Sequence, residues 1–394
     1  MEQYDRILDL IKSALWQPCE LKVDEALYDE LSRHAIVTLV APILPSLEMS
    51  TELREKWKST ILQHLAYYCN YKYEQSNLPI TVPYVILKGT SASQYYDHPE
   101  FRIYGDIDIM PKREGFQAAC TQLLENGYIE KNAHHLDEFG RHRTFFKNGI
   151  YIEVHAFFAL FNDKHKAKYL DDLIISNINP SHVLPDMING LVLLEHINQH
   201  METGIGLRQI IDWMMFVDKY LPDERWDEFG SLANKSGLET LAVVVTKMCE
   251  KHLGLPERKW CANADNKLCE QLVEYILESG NFGNKQKDEN HTGALILSFA
   301  RSPMSAFSLL QRRGLINWKS VKKYHWLRPF AWLYQLTRYI KNGFERDSSI
   351  SKLKQEYELS KARDQLFSKL GVKQTSKGLA VLEDGEYIKS YKIP

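Results

Sequence analysis

The segment from Tyr84 to Met110 constrains this chain more than any other. Tyr84-Val85-Ile86-Leu87 is an apolar, β-branched run that breaks off at Lys88-Gly89-Thr90. So short a run, bounded by a glycine, reads as a buried strand entering a turn. Further on, Gly105-Asp106-Ile107-Asp108-Ile109 alternates acids with isoleucines. A strand over Tyr104–Met110 sends Asp106 and Asp108 to one face and Ile107 and Ile109 into a core. Two carboxylates on one strand face raise the cost of ionising both. A divalent metal removes that penalty, and Mg²⁺ is commonly held by one or two carboxylates plus substrate phosphates.

The rest of the chain frames this segment. Apolar spacing predicts helices up to about residue 75, the third from about Glu52 to Glu74 with Trp57, Ile61, Leu62 and Leu65 on one face. Leu78-Pro79 and Val82-Pro83 end that pattern. Thr90 to Tyr96 suits a short helix, and Lys112 to Glu125 a longer one with Gly127 as its C′ residue. Strands near Arg143–Lys147 and Ile150–Ala156 flank Asn148-Gly149, a strong hairpin signal. Helices resume over Met187–His200 and Leu207–Tyr220. The expectation is an α+β protein: a helical region over 1–78, a small mixed-sheet core over 79–180, a larger helical region over 181–345 and a partly ordered tail over 346–394.

Chemistry gathers in the core. Ile152-Glu153-Val154-His155 repeats the acid-between-apolars pattern, so Glu153 shares a face with Tyr151 and His155. If its strand neighbours the aspartate strand, three carboxylates converge and can hold two ions about 3.5–4 Å apart, as in-line displacement at phosphorus requires. Gly89 lets backbone amides approach a phosphate, with donors from Thr90 and Ser91. Lys88 and Arg102 are candidate counter-charges.

Together these features resemble the nucleotidyltransferase superfamily related to DNA polymerase β. The runs LKGTSASQYY, RIYGDIDIM, LLENGY, IEVH, LLEHINQH and LRQIIDWMMF look more specifically like a bacterial family of uncharacterised nucleotidyltransferases. The resemblance covers about residues 30 to 220. It implies that Gly89 and Thr90 cradle phosphate and that Asp106, Asp108 and Glu153 bind Mg²⁺, with Mn²⁺ as the alternative. An NTP would be the donor and an acceptor hydroxyl, foremost on a small molecule, would take the NMP. Thr90 stands where the superfamily usually has Ser, and Glu153 where many relatives have Asp. A degenerate nucleotide-binding protein and a protein- or RNA-modifying transferase are the competing expectations.

Other residues admit two readings. His155 could touch substrate or metal, or be a hydrogen-bonded structural histidine. His196 and His200 have the spacing of helical zinc ligands, yet no HExxH surrounds them, so pocket lining or a buried polar face is preferred. Arg208 could pair with Asp212 one turn on or reach a phosphate, and His134-His135 could border the cleft. Residues 312–346 carry nine bases against one acid, with Trp318, Trp326, Trp332, Tyr334 and Tyr339 interleaved. Such a stretch could attract RNA or an anionic surface, or simply be a helical core with a basic solvent side. The balance of 49 bases and 51 acids excludes a uniformly basic nucleic-acid coat. Six scattered cysteines without a CxxC pair argue for buried thiols. With neither a signal-peptide core nor about 18 uninterrupted apolar residues, a cytoplasmic chain without a transmembrane segment is expected.

Overall fold

Three helices lead into the sheet: α1 (Glu2–Leu15), α2 (Glu25–Arg33) and α3 (Thr51–Ser76). The Asp24 carboxylate caps α2 by accepting from the Leu27 amide, and the Ser50 hydroxyl caps α3 by accepting from Leu53. Trp57 and Ile61 are buried on α3, but Leu62, expected on the same face, is 66% exposed. It lies about 100° round the helix from Ile61. The computed structural model describes residues 2–131, 141–160, 163–201, 204–281 and parts of 307–388.

The prolines after α3 end in β1 (Tyr84–Leu87), followed by the short α4 (Gly89–Ser93), β2 (Ile107–Pro111), α5 (Phe116–Glu125), β3 (Ile129–Lys131), β4 (His142–Lys147) and β5 (Ile150–His155). The sheet order is β1-β2-β5-β4-β3. β2 runs antiparallel to β1 and parallel to β5, and β4 and β5 form the expected hairpin. Asn148 and Gly149 both take positive φ, 51° and 83°, as a two-residue hairpin turn demands. β2 is shorter than the alternation suggests. Its ladders run from Ile107 to Pro111, so Gly105 and Asp106 precede the strand.

The two sheet faces have different neighbours. Ile107, Ile109, Ile152 and Val154 pack with Ala119, Cys120 and Leu123 of α5 and Tyr71 of α3. Val85, Leu87 and Met110 belong to the larger core, built on α6 (Lys164–Ser176), α7 (Asp186–His200), α8 (Leu207–Tyr220), α9 (Trp226–Ser236), α10 (Glu239–Leu253) and α11 (Asn266–Ser279). α7 and α8 approach closely because Gly190 has no side chain: a Cβ there would lie 2.4 Å from the Phe216 ring. In the C-terminal region, a helix at Ile350–Leu370 buries Leu366, Phe367 and Leu370 in this same core. No helix among the described residues is long and apolar enough to cross a membrane. The fold is α+β.

Candidate active site

The sheet register creates the site. In the parallel pair Asp108 lies opposite Glu153, and across the hairpin Thr144 faces Glu153 and His142 faces His155. Cross-strand partners share a face, so Asp108, Glu153, His155 and His142 form one polar patch turned away from α5. The Nε2 of His155 is 2.7 Å from Asp108 Oδ1 and 3.5 Å from Glu153 Oε2, and His142 Nε2 is 3.3 Å from Glu153 Oε1. One ligand atom each from Asp108, Glu153 and His155 fall within 4.8 Å of one another. Three converging carboxylates were the expectation; the trio that meets this spacing has a histidine in place of Asp106. Because Asp106 sits before the strand, the ladder does not fix its side chain beside the others.

Asp106 is nonetheless electrostatically part of the patch. Burial, then the Asp108 and Glu153 charges, push its carboxyl up to about 6. Burial also raises Asp108 to about 6, with Lys88 opposing. Glu153 moves the other way: burial would raise it, but the His142 hydrogen bond and the Lys88 charge outweigh that and hold it ionised. Two aspartates raised above the ordinary carboxylate range by burial and by neighbouring acids mark a place short of positive charge.

Lys88 supplies part of that charge. Its Nζ is 2.7 Å from Asp108 Oδ1. Burial works against the ammonium, but Asp108, Asp106 and Glu153 together raise its pKa above the ordinary lysine value. Lys88 reaches this position at φ 53°, and Gly89 follows at φ 43°. Positive φ at a non-glycine residue costs about 1–3 kcal/mol. A Cβ on Gly89 would lie 2.4 Å from the Tyr71 hydroxyl, which itself donates to the Asp106 carbonyl at 3.2 Å. Tyr67 likewise donates to Gly105 O at 2.7 Å, so α3 fastens the segment before β2.

Two expected phosphate contacts are otherwise engaged. The guanidinium of Arg102 is buried and bidentate to Asp212 of α8, 2.7 Å at both Nε–Oδ1 and Nη2–Oδ2. This pair takes Arg102 away from a phosphate role, and Asp212 pairs with it rather than with Arg208. The Ser91 hydroxyl is buried and donates to Ile86 O at 2.8 Å, so it too is satisfied within the protein. Thr90 Oγ1 donates to Gln75 Oε1 at 2.9 Å and stays at the turn. Arg208 donates from Nη1 to Ile103 O at 3.1 Å, while its buried Nε has no hydrogen-bond partner among the described residues. Burial and the Arg102 charge lower its pKa, with Asp212 and Asp106 opposing.

On α7, His196 and His200 stack edge to face with ring centroids 4.7 Å apart. Burial, then the Lys88 charge, hold both imidazoles neutral, His200 falling to about 3. The segment after β5 is pinned by buried carboxylates: Asp171 accepts from the Phe158 and Ala159 amides, and Glu195 from Leu160. His142, beside Glu153 and paired with His155, is a site residue the sequence reading missed. The signal was present, since a two-residue turn at Asn148-Gly149 pairs 142 with 155. His134-His135 lies outside the described residues, as do Arg312, Arg313, Lys319, Lys322, Lys323 and Arg346 of the basic stretch. Within that stretch Arg328 and Arg338 are exposed, as is Trp326.

These residues fit a divalent cation. Asp108, Glu153 and His155 bring two carboxylate oxygens and an imidazole nitrogen within 4.8 Å of one another, and crowding among the acids raises the Asp106 and Asp108 carboxyls. Neither the curated proteins nor the solved structures compared with this chain include a match. A family model described as "Uncharacterised nucleotidyltransferase" matches residues 22–254, well over half of the sequence and all of this site. The chain belongs to that nucleotidyltransferase family.

Proposed function

We propose that the protein transfers a nucleoside monophosphate from an NTP to an acceptor hydroxyl, releasing pyrophosphate, and that the acceptor is a small molecule. The observation that carries this reading is the register placing Asp108 opposite Glu153, with Asp106 just before the strand and Lys88 at the turn. Asp106, Asp108 and Glu153 would hold the divalent ion, Mg²⁺ or Mn²⁺. Once bound, that ion would polarise phosphoryl oxygens and favour the alkoxide form of the acceptor.

The remaining contributions belong to the chain. Lys88 neutralises Asp108 in the free protein and can turn to a triphosphate oxygen when other positive charge arrives. Gly89 lets the turn pass close under the Tyr71 hydroxyl, and Thr90 can exchange its Gln75 bond for one to the ligand. Arg208, with an unsatisfied Nε, suits an anionic donor. α7 and α8, which carry His196, His200 and Arg208, would form the opposing wall, exclude water and choose the acceptor. Catalysis of this kind rests on positioning and charge.

The test is incubation with α-labelled NTPs, divalent ions and a cell extract, with Asp106→Asn and Asp108→Asn alongside. Labelled product that disappears in both folded variants supports the reading. Undiminished turnover in both variants refutes the catalytic assignment. Calorimetric NTP binding with no labelled product would identify a nucleotide-binding protein instead.

A further inference from the structure

We infer that His155 is a direct nitrogen ligand of the metal, so that the centre is of mixed nitrogen–oxygen type and prefers Mn²⁺ to Mg²⁺. This rests on the nucleotidyltransferase reading for the presence of an ion but adds which ion and which atom. The geometry is specific: His155 Nε2 stands 2.7 Å from Asp108 Oδ1 and 3.5 Å from Glu153 Oε2. Those three side chains, and no other set of three or more His, Cys, Asp or Glu among the described residues, bring ligand atoms within 4.8 Å. His155 is fully buried and Asp108 nearly so, which leaves little water to compete for the position.

Three roles are open to an imidazole here. A charged counter-ion is superfluous, because Lys88 Nζ already lies 2.7 Å from the same Asp108 oxygen. A plain hydrogen bond from Nε2 shares Asp108 Oδ1 with Lys88 Nζ, also 2.7 Å away, and so occupies both lone pairs of that oxygen. It would also leave Nδ1 as a buried acceptor with no partner among the described residues. A ligand role uses the neutral form, in which imidazole binds metal, and draws both carboxylates and the nitrogen to one cation. In the free protein the 2.7 Å contact to Asp108 Oδ1 holds the proton on Nε2, so ligation shifts that proton to Nδ1 and frees Nε2 for the ion. Mg²⁺ demands oxygen and keeps several waters, whereas imidazole favours first-row transition ions. The spacing therefore predicts selectivity as well as binding.

The experiment uses full-length, chelator-stripped protein and Mn²⁺, with and without a non-hydrolysable NTP. Pulsed electron paramagnetic resonance should show a directly bound nitrogen that changes coupling on ¹⁵N-histidine labelling. His155→Asn should remove that coupling and weaken Mn²⁺ binding at least about tenfold, while affecting Mg²⁺ binding less. His142→Asn should keep the coupling, and Asp108→Asn should abolish the bound signal. The wild-type spectrum decides the matter even if His155→Asn does not fold. Mn²⁺ bound without nitrogen coupling, or coupling that survives in folded His155→Asn, overturns the inference and leaves the metal reading standing. Failure of the stripped protein to bind either ion, with or without nucleotide, overturns both.

Discussion

Asp212→Asn is the sharpest test of how the helical core holds the site. Asp212 accepts from Arg102 Nε and Nη2 at 2.7 Å and pairs with the Tyr96 hydroxyl at 2.8 Å, and all three side chains are buried. At 2.7 Å and an effective dielectric near 20 the ion pair has a Coulomb energy of about 6 kcal/mol, much of it offset by desolvation. Asparagine keeps the shape but turns an amide NH₂ toward a guanidinium donor and leaves a buried, uncompensated cation. Breaking such a pair costs about 3–5 kcal/mol, which corresponds to a fall in Tm on the order of 10 °C. Removing both charges in Arg102→Met/Asp212→Leu should be milder than the single change, because no unpaired charge remains. Urea unfolding followed by tryptophan fluorescence and circular dichroism measures all variants. A loss below about 1 kcal/mol in Asp212→Asn, or a double variant less stable than the single, would refute the reasoning.

Gly89→Ala should lose about 1–2 kcal/mol from positive φ alone, plus the clash with the Tyr71 hydroxyl. Adding Tyr71→Phe should restore the clash component, and thermal melts of the single and double variants check this. Stability should also depend on pH in a definite direction. Asp106 and Asp108 hold protons to about 6 when folded but release them near 4 when unfolded. Between those values the folded chain binds more protons, so chelator-treated protein should lose stability as pH rises from about 4 to 6. Mn²⁺ should flatten that slope, and a Tm that climbs through the window without metal would contradict the assignment. Glu195→Gln should loosen the segment after β5 by removing a charged acceptor from the Leu160 amide, at a cost of about 1–3 kcal/mol. Hydrogen exchange at residues 157–160 reads it directly.

Much of this architecture can be read along the chain because the informative forces there are local. Alternation in 107–110 and 150–155 reports which face is buried, Asn148-Gly149 reports the turn, and the spacing of apolar residues bounds α8 at Leu207 and Tyr220. What escaped was set by distant partners. Arg102 looks available until Asp212, 110 positions away, closes on it. The Ser91 hydroxyl turns back to Ile86 O, a bond composition does not announce. β3 is a three-residue edge strand with Ile129 61% exposed, so it carries no alternating pattern. β4 begins at His142, one residue before the β-rich run at Arg143, so the second histidine beside Glu153 carries no local signal of its own. Asp106 was placed with Asp108 because alternation ignores where ladder hydrogen bonds stop.

The parallel pairing of β2 with β5 has a consequence for how the site comes into being. A parallel pair cannot be closed by a tight turn, and here the crossover contains α5, β3 and β4. Asp108 and His155 are 47 positions apart, so their meeting depends on long-range strand pairing and not on a local turn. During synthesis Asp108 can emerge beside Lys88 and β1 long before Glu153 and His155 exist. Lys88 would then serve as a placeholder, neutralising one carboxylate until the long-range pairing delivers the others. Loop-closure entropy makes that pairing a slow element of folding. The ability to bind a cation would thus appear last, and acquisition of a tight Mn²⁺ signal in a refolding experiment would time the closure of the sheet.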